Sequence, residues 1–203
     1  VRTMDRANQD DCKPQPGDAL LIVDVQNDFL PGGSLAVPRG GEVVPVLNGY
    51  LRIFAARGLP VYATRDWHPE RHSSFRPQGG IWPPHCVAGT RGAEFAAALQ
   101  LPPSAVIISK ADTAERDAYS GFQGTNFDQQ LRTASIQRLF IGGLATDYCV
   151  LNTVRDALRL GYEVFLLADA IRAVDVQPGK GLRAEQEMTR LGAQRITVEE
   201  IAA

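Results

Sequence analysis

The sequence predicts an α/β fold, a three-layer α/β/α arrangement around a mainly parallel, roughly six-stranded sheet of the Rossmann-like kind. Three observations carry that expectation. Short runs rich in Val, Ile and Leu recur along the chain, and longer amphipathic segments separate them. Glycines fall just past several of those segments, where helices stop. The apolar runs are nearly unbroken, as strands covered on both faces should be.

Taken in order, "ALLIVDV" (Ala19 to Val25) opens the strand series. A helix is expected from Glu42 to Arg57, ending at Gly58, and "PVYATR" follows as the second strand. Arg91 to Leu99 reads as a helix stopping before Pro102, and "AVIISK" as the third strand. Phe127 to Ala134 is a short helix candidate ahead of "RLFIGGL". Tyr148 to Leu160 then leads to "YEVFLLA", and Gly181 to Leu191 to the weaker strand "QRITV". Two stretches without such patterning, Asp66 to Thr90 and Ala111 to Thr125, are long for a compact domain and therefore candidate functional loops.

At 203 residues the chain suits one domain, expected over residues 19–203 behind a polar, disordered tail at 1–18. A formal charge of −2 gives no reason to expect nucleic acid or an anionic membrane as partner. No apolar run approaches the roughly 18–20 residues of a membrane span. Cys12, Cys86 and Cys149 are odd in number and unrelated in spacing, which argues against a disulfide framework. With no hydrophobic segment at the start, a reducing, cytoplasmic setting is expected.

In open α/β sheets the ligand crevice lies beyond the carboxyl ends of the strands. Asp24 falls at the end of the first strand, Asp66 and His68 at the second, Lys110 at the third, and Cys149 after the fourth. A free cysteine is ordinarily a small buried apolar residue. Cys149, however, is expected in the first turn of a helix that Thr146 or Asp147 could cap, where the dipole favours a thiolate. Asp24 stands in an apolar strand and needs a partner, which Lys110 can supply. Beside a thiol that pair could take and return a proton as well as hold a structure together.

All three histidines fall in one window, His68 and His72 in "RDWHPERHSSF" and His85 in "IWPPHC". Asp66, His68 and His85 offer one carboxylate and two imidazoles, a common catalytic set for one divalent ion, with Zn, Fe and Mn all suited. His72 is either a fourth ligand or a partner that holds a ligand in place. The bland alternative is solvated loop histidines around Trp67 and Trp82. Phe29, Trp82 and Tyr119 lie in segments that should border the crevice, where a flat aromatic ligand would want them. Cys86 reads as packing and Cys12 as a bystander in the tail.

The stretches "LLIVDVQNDFLPGGSLAVP", "TRDWHPERHSSF", "WPPHCVAGTRGAEF", "ISKADTAERDAYSGF" and "IGGLATDYCVLNTVRDAL" together resemble the nicotinamidases (pyrazinamidases). These are a metal-dependent branch of the isochorismatase-like cysteine hydrolases. The resemblance implies that Asp24, Lys110 and Cys149 form a catalytic triad, and that Asp66, His68 and His85 ligate the metal. It implies that Phe29 and Trp82 sandwich a pyridine ring, with Tyr119 in the same wall. It makes Ala145 and Cys149 the backbone donors of an oxyanion hole and the Leu144–Ala145 peptide cis. The implied reaction is deamidation of nicotinamide and related aromatic amides through a thioester, a step of NAD salvage. A homo-oligomer is compatible with it. Another amidase of the superfamily, acting on a carbamoyl or different aromatic amide, would keep the triad but have no use for the metal group.

Overall fold

The computed structural model describes residues 12–202. Six strands form one parallel sheet: β1 (Asp18–Val23), β2 (Val61–Asp66), β3 (Val106–Lys110), β4 (Arg138–Leu144), β5 (Glu163–Arg172) and β6 (Gln194–Ile196). Their spatial order is β3-β2-β1-β4-β5-β6. Five helices follow in chain order: α1 (Val43–Ala56), α2 (Phe127–Thr133), α3 (Leu151–Arg159), α4 (Lys180–Leu191) and α5 (Val198–Ala202). A π-helical turn, Thr146–Val150, leads into α3.

Alternation along β1 shows how the layers assemble. Leu20 and Ile22 pack with Leu47, Tyr50 and Phe54 of α1 and Ile201 of α5. Ala19, Leu21 and Val23 face the other way, onto Phe127 and Leu131 of α2, Val154 and Ala157 of α3, and Ala184 and Met188 of α4. Successive side chains of a strand point to opposite faces, so a central strand must be apolar throughout to bury both. All six residues of β1 are buried. Gly143 of β4 has φ +125, and a Cβ there would stand 2.1 Å from the Val23 carbonyl oxygen, so the double glycine of "IGGL" lets β4 close onto β1.

Two expectations are corrected. No helix spans Arg91 to Leu99; only Arg91–Ala93 makes a helical turn. The backbone beyond it is used elsewhere: the Asn27 amide donates to Glu94, the Ala96 amide donates to Val25, and Gln26 bridges Phe95 in antiparallel fashion. The polar tail does not extend to residue 18. Cys12 is buried in the core and Asp18 begins β1. Arg138 pairs with Asp18 at 2.6 Å and donates to the Lys13 carbonyl, fastening this segment to β4. Residues 1–11 of that expectation lie outside the described residues. Among the described residues, no helix is long and apolar enough to cross a membrane.

Candidate active site

The strand order places the carboxyl ends of β3, β2, β1 and β4 side by side, so Lys110, Asp66, Asp24 and the turn carrying Cys149 meet at one edge. The sheet's direction of growth reverses between β1 and β4, the position at which such sheets open a crevice. Asp24 leaves β1 with φ +48 and Ala111 leaves β3 with φ +51. Left-handed backbone at a non-glycine residue costs about 1–3 kcal/mol and tends to mark working sites.

Lys110 is the centre of the group. Its fully buried ammonium lies 2.9 Å from Asp24 Oδ2 and 3.5 Å from Cys149 Sγ, donates to Asp66 Oδ1, and donates to the Ala118 carbonyl at 3.2 Å. Thr64 donates its hydroxyl to Asp24 Oδ1 at 2.7 Å. Burial works against the Lys110 charge, but Asp24, Asp66 and Cys149 outweigh it and keep its pKa well above the ordinary value. Burial also opposes ionisation of Asp66, yet Lys110 and His68 hold that carboxyl well below the usual range. Asp24 is pushed the other way: burial raises it, Lys110 offsets this in part, and the neighbouring Asp66 charge adds to the rise.

Cys149 departs from expectation. Burial drives its thiol well above the ordinary value, with Lys110 countering and Asp24 and Asp66 reinforcing. Nor does Thr146 or Asp147 cap the helix. The residue before the π-helical turn is Ala145, with no side-chain cap, and its carbonyl accepts from the Tyr148 and Val150 amides. Asp147 instead accepts from the Val174 and Asp175 amides at 2.9 and 3.1 Å, tying this turn to the chain after β5. Burial therefore opposes the thiolate at Cys149, beside a carboxylate of raised basicity. The Leu144–Ala145 peptide is cis.

Asp66, His68 and His85 converge so that one donor atom of each lies within 4.8 Å of the others, and all three are buried. His68 Nδ1 lies 3.1 Å from the Ala111 carbonyl and His85 Nδ1 lies 2.8 Å from the Pro83 carbonyl. A carbonyl only accepts, so Nδ1 is the donor in each ring and Nε2 is the nitrogen left for another partner. His68 Nε2 is buried with no hydrogen-bond partner, 3.7 Å from Asp66 Oδ2. Leaving a buried ring nitrogen without a partner is costly, and two imidazoles held through Nδ1 beside a carboxylate make a donor set that suits a divalent cation.

His72 has no free nitrogen. Its Nε2 lies 3.0 Å from the Arg116 carbonyl and its Nδ1 lies 2.7 Å from Ser74 Oγ. Its ring lies 4.2 Å from that of His68, with both of its nitrogens engaged by Ser74 and Arg116. Burial lowers its pKa, favouring the neutral ring.

A cavity opens beside Cys149, Asp66 and His85, walled by Phe29, Trp82, Tyr119 and Ala145. Trp82 donates its indole N–H to the Tyr119 hydroxyl at 3.0 Å, which joins the two long loops over the cavity. Leu35, Val37, Tyr148 and Val174 also line it and were not anticipated. Tyr148 packs edge-on to Trp82 at 5.1 Å, and its neighbour Cys149 was the only available signal. Asp28 was missed too. Its carboxylate accepts from the Cys86 amide at 2.8 Å, and Cys86 in turn accepts from the His68 amide at 3.0 Å. Cys86 is fully buried with φ +46, so its role here is one of backbone geometry and packing.

The fold and this edge define an α/β protein with a buried cysteine, carboxylate and lysine beside a cation-ready group. The isochorismatase domain profile matches residues 18–200, and the chain belongs to that family. Among its relatives is the nicotinamidase of Escherichia coli strain K12, 40% identical over 90% of this chain and 96% of that protein. Among solved structures, the pyrazinamidase of Pyrococcus horikoshii in complex with zinc superposes with a TM-score of 0.86 at 48% identity, covering 90% of this chain and 99% of that one. PnC1 from L. infantum in complex with nicotinate superposes with a TM-score of 0.85 at 35% identity, covering 93% and 96%.

Proposed function

We propose that this chain is a nicotinamidase, hydrolysing nicotinamide and related aromatic amides to the acid and ammonia, with one divalent metal ion, zinc first. One observation carries the reading. A single aromatic-walled cavity brings together Cys149 and the Asp66 and His85 members of the cation-ready group. Relatives named for nicotinamide and pyrazinamide hydrolysis, one of them bound to zinc and one to nicotinate, support it.

Asp66, His68 and His85 would hold a divalent ion, which would supply a Lewis acid for orienting a bound aromatic amide beside Cys149. Phe29 and Trp82 hold the ring flat between them. Asp24 takes the Cys149 proton as Sγ attacks the amide carbon, and Lys110, 3.5 Å from Sγ, favours the thiolate as it forms. The Ala145 and Cys149 amides receive the developing oxyanion, each donor worth about 3–4 kcal/mol in comparable sites. Asp24 returns the proton to the departing nitrogen, the C–N bond breaks, and ammonia leaves a thioester on Cys149. Water then gives a proton to Asp24 and its oxygen to the acyl carbon. The C–S bond breaks, the acid departs, and Asp24 restores the thiol.

The test is incubation of the zinc-loaded protein with nicotinamide, with ammonia measured before and after a chelator is added. Release that stops on chelation is expected. No release, or release on which chelation has no effect, overturns the reading.

A further inference from the structure

We infer that Gln26 is a positioning residue for the metal group, acting through the backbone of Asp66; the inference rests on the metal-holding part of the reading above. β1 leaves the sheet before β2 does. Their last paired residues are Val23 and Thr64, whereas β2 runs on to Asp66 and pairs there with Lys110 of β3. Asp24 still donates its amide to the Thr64 carbonyl at 3.2 Å, then turns out of the ladder at φ +48. That turn sends the Asp24 carboxylate to Lys110 and removes the strand that would have paired with Asp66.

The side chain of Gln26 fills the missing rung. Its Oε1 accepts from the Asp66 amide at 2.8 Å, and its Nε2 donates to the Asp66 carbonyl at 2.8 Å and to the Ala93 carbonyl at 2.9 Å. The carboxamide is fully buried and both of its N–H groups are used. Asp66 serves two neighbours, with Oδ1 on Lys110 and Oδ2 facing His68 Nε2. Any rotation of its backbone moves both contacts together. Gln26 therefore lets Asp24 leave the strand while Asp66 stays aimed.

The test separates positioning from ordinary stabilisation. Asn48 makes a similar clasp elsewhere, donating to the Ala98 carbonyl and accepting from the Gln100 amide, both at 2.9 Å. Gln26→Leu and Asn48→Leu are checked for folding by circular dichroism, and zinc affinity is measured by competition with a chromophoric chelator. Gln26→Leu is expected to raise the zinc Kd at least about 10-fold, the effect typical of losing an outer partner of a ligand. Asn48→Leu is expected to leave it within about twofold. If Gln26→Leu does not fold, Gln26→Glu, which keeps the length and the acceptor, is measured against the same criterion. A folded Gln26 variant with an unchanged Kd overturns the inference alone. An unmodified chain that takes up no zinc overturns the metal reading and this inference with it. Zinc uptake without ammonia release overturns the proposed activity and leaves Gln26 to be judged by its Kd.

Discussion

Replacing Lys110 with Met tests whether the site is organised around one buried cation. The substitution keeps the apolar stem and removes the ammonium between Asp24 and Asp66, both of which are buried. Breaking a buried ion pair from one side costs about 3–5 kcal/mol, because an uncompensated charge stays behind. Here two carboxyls stay behind, so the upper end is expected near pH 7.5. For a chain of this size each kcal/mol lowers Tm by about 2–4 °C, so that upper end gives a fall of about 10–20 °C. The direction with pH follows from linkage. In the unmodified chain Asp66 is held low, so its contribution is present above the unfolded carboxylate value and lost as pH falls. In Lys110→Met, burial raises both carboxyls, and the penalty fades as pH drops through those raised values. Urea unfolding of chelator-treated protein at pH 7.5 and 4.5 reads both effects. A loss below about 1 kcal/mol at pH 7.5, or one that does not shrink in acid, refutes the argument.

Cys149→Ala is expected to reduce ammonia release to background while zinc content and Tm are kept; normal release would sink the covalent route. His85→Ala should lose bound zinc by elemental analysis and weaken substrate binding, and unchanged zinc would remove His85 from the ligand set. Because burial raises Asp24 and its protonated form cannot take the thiol proton, activity should fall as pH drops through that raised value. The acid limb of kcat/KM, measured with bound zinc confirmed at each pH, should then lie above the ordinary carboxylate value of about 3.9; a limb at or below it contradicts the assignment. Asp147→Ala strands the Val174 and Asp175 amides, at about 1–3 kcal/mol of unfolding free energy, and should raise KM more than it lowers kcat because Val174 lines the cavity. Equal loss in both parameters would argue against a wall defect.

The strands were legible because a parallel sheet covered on both faces demands unbroken apolar runs, and the structure ends those runs within a few residues of the expected places. The segment Arg91 to Leu99 shows where such reading fails. Its composition suits a helix, but its backbone groups are captured by Val25, Gln26 and Asn27, more than sixty positions earlier in the chain. Asp147 misled in the same way. An acid at a helix start looks like a cap, and the choice fell to two amides 27 and 28 residues away. His72 was ambiguous because spacing shows that a ring is near and cannot show which nitrogens are free.

The sequence by itself determined the layer architecture, the single buried strand series, and which chemical groups fall at strand ends. Periodicity and residue type are local properties, and each strand end could be found without knowing its neighbours. Only the tertiary structure decided that Lys110 stands between two carboxylates, that burial pushes the Cys149 thiol upward, and that His68 Nε2 lies buried without a hydrogen-bond partner. Those outcomes depend on the β3-β2-β1-β4 order, which sets contacts such as Lys110 to Asp66 across 44 residues. They depend as well on burial, which fixes the charge a group can carry and which no stretch of sequence contains.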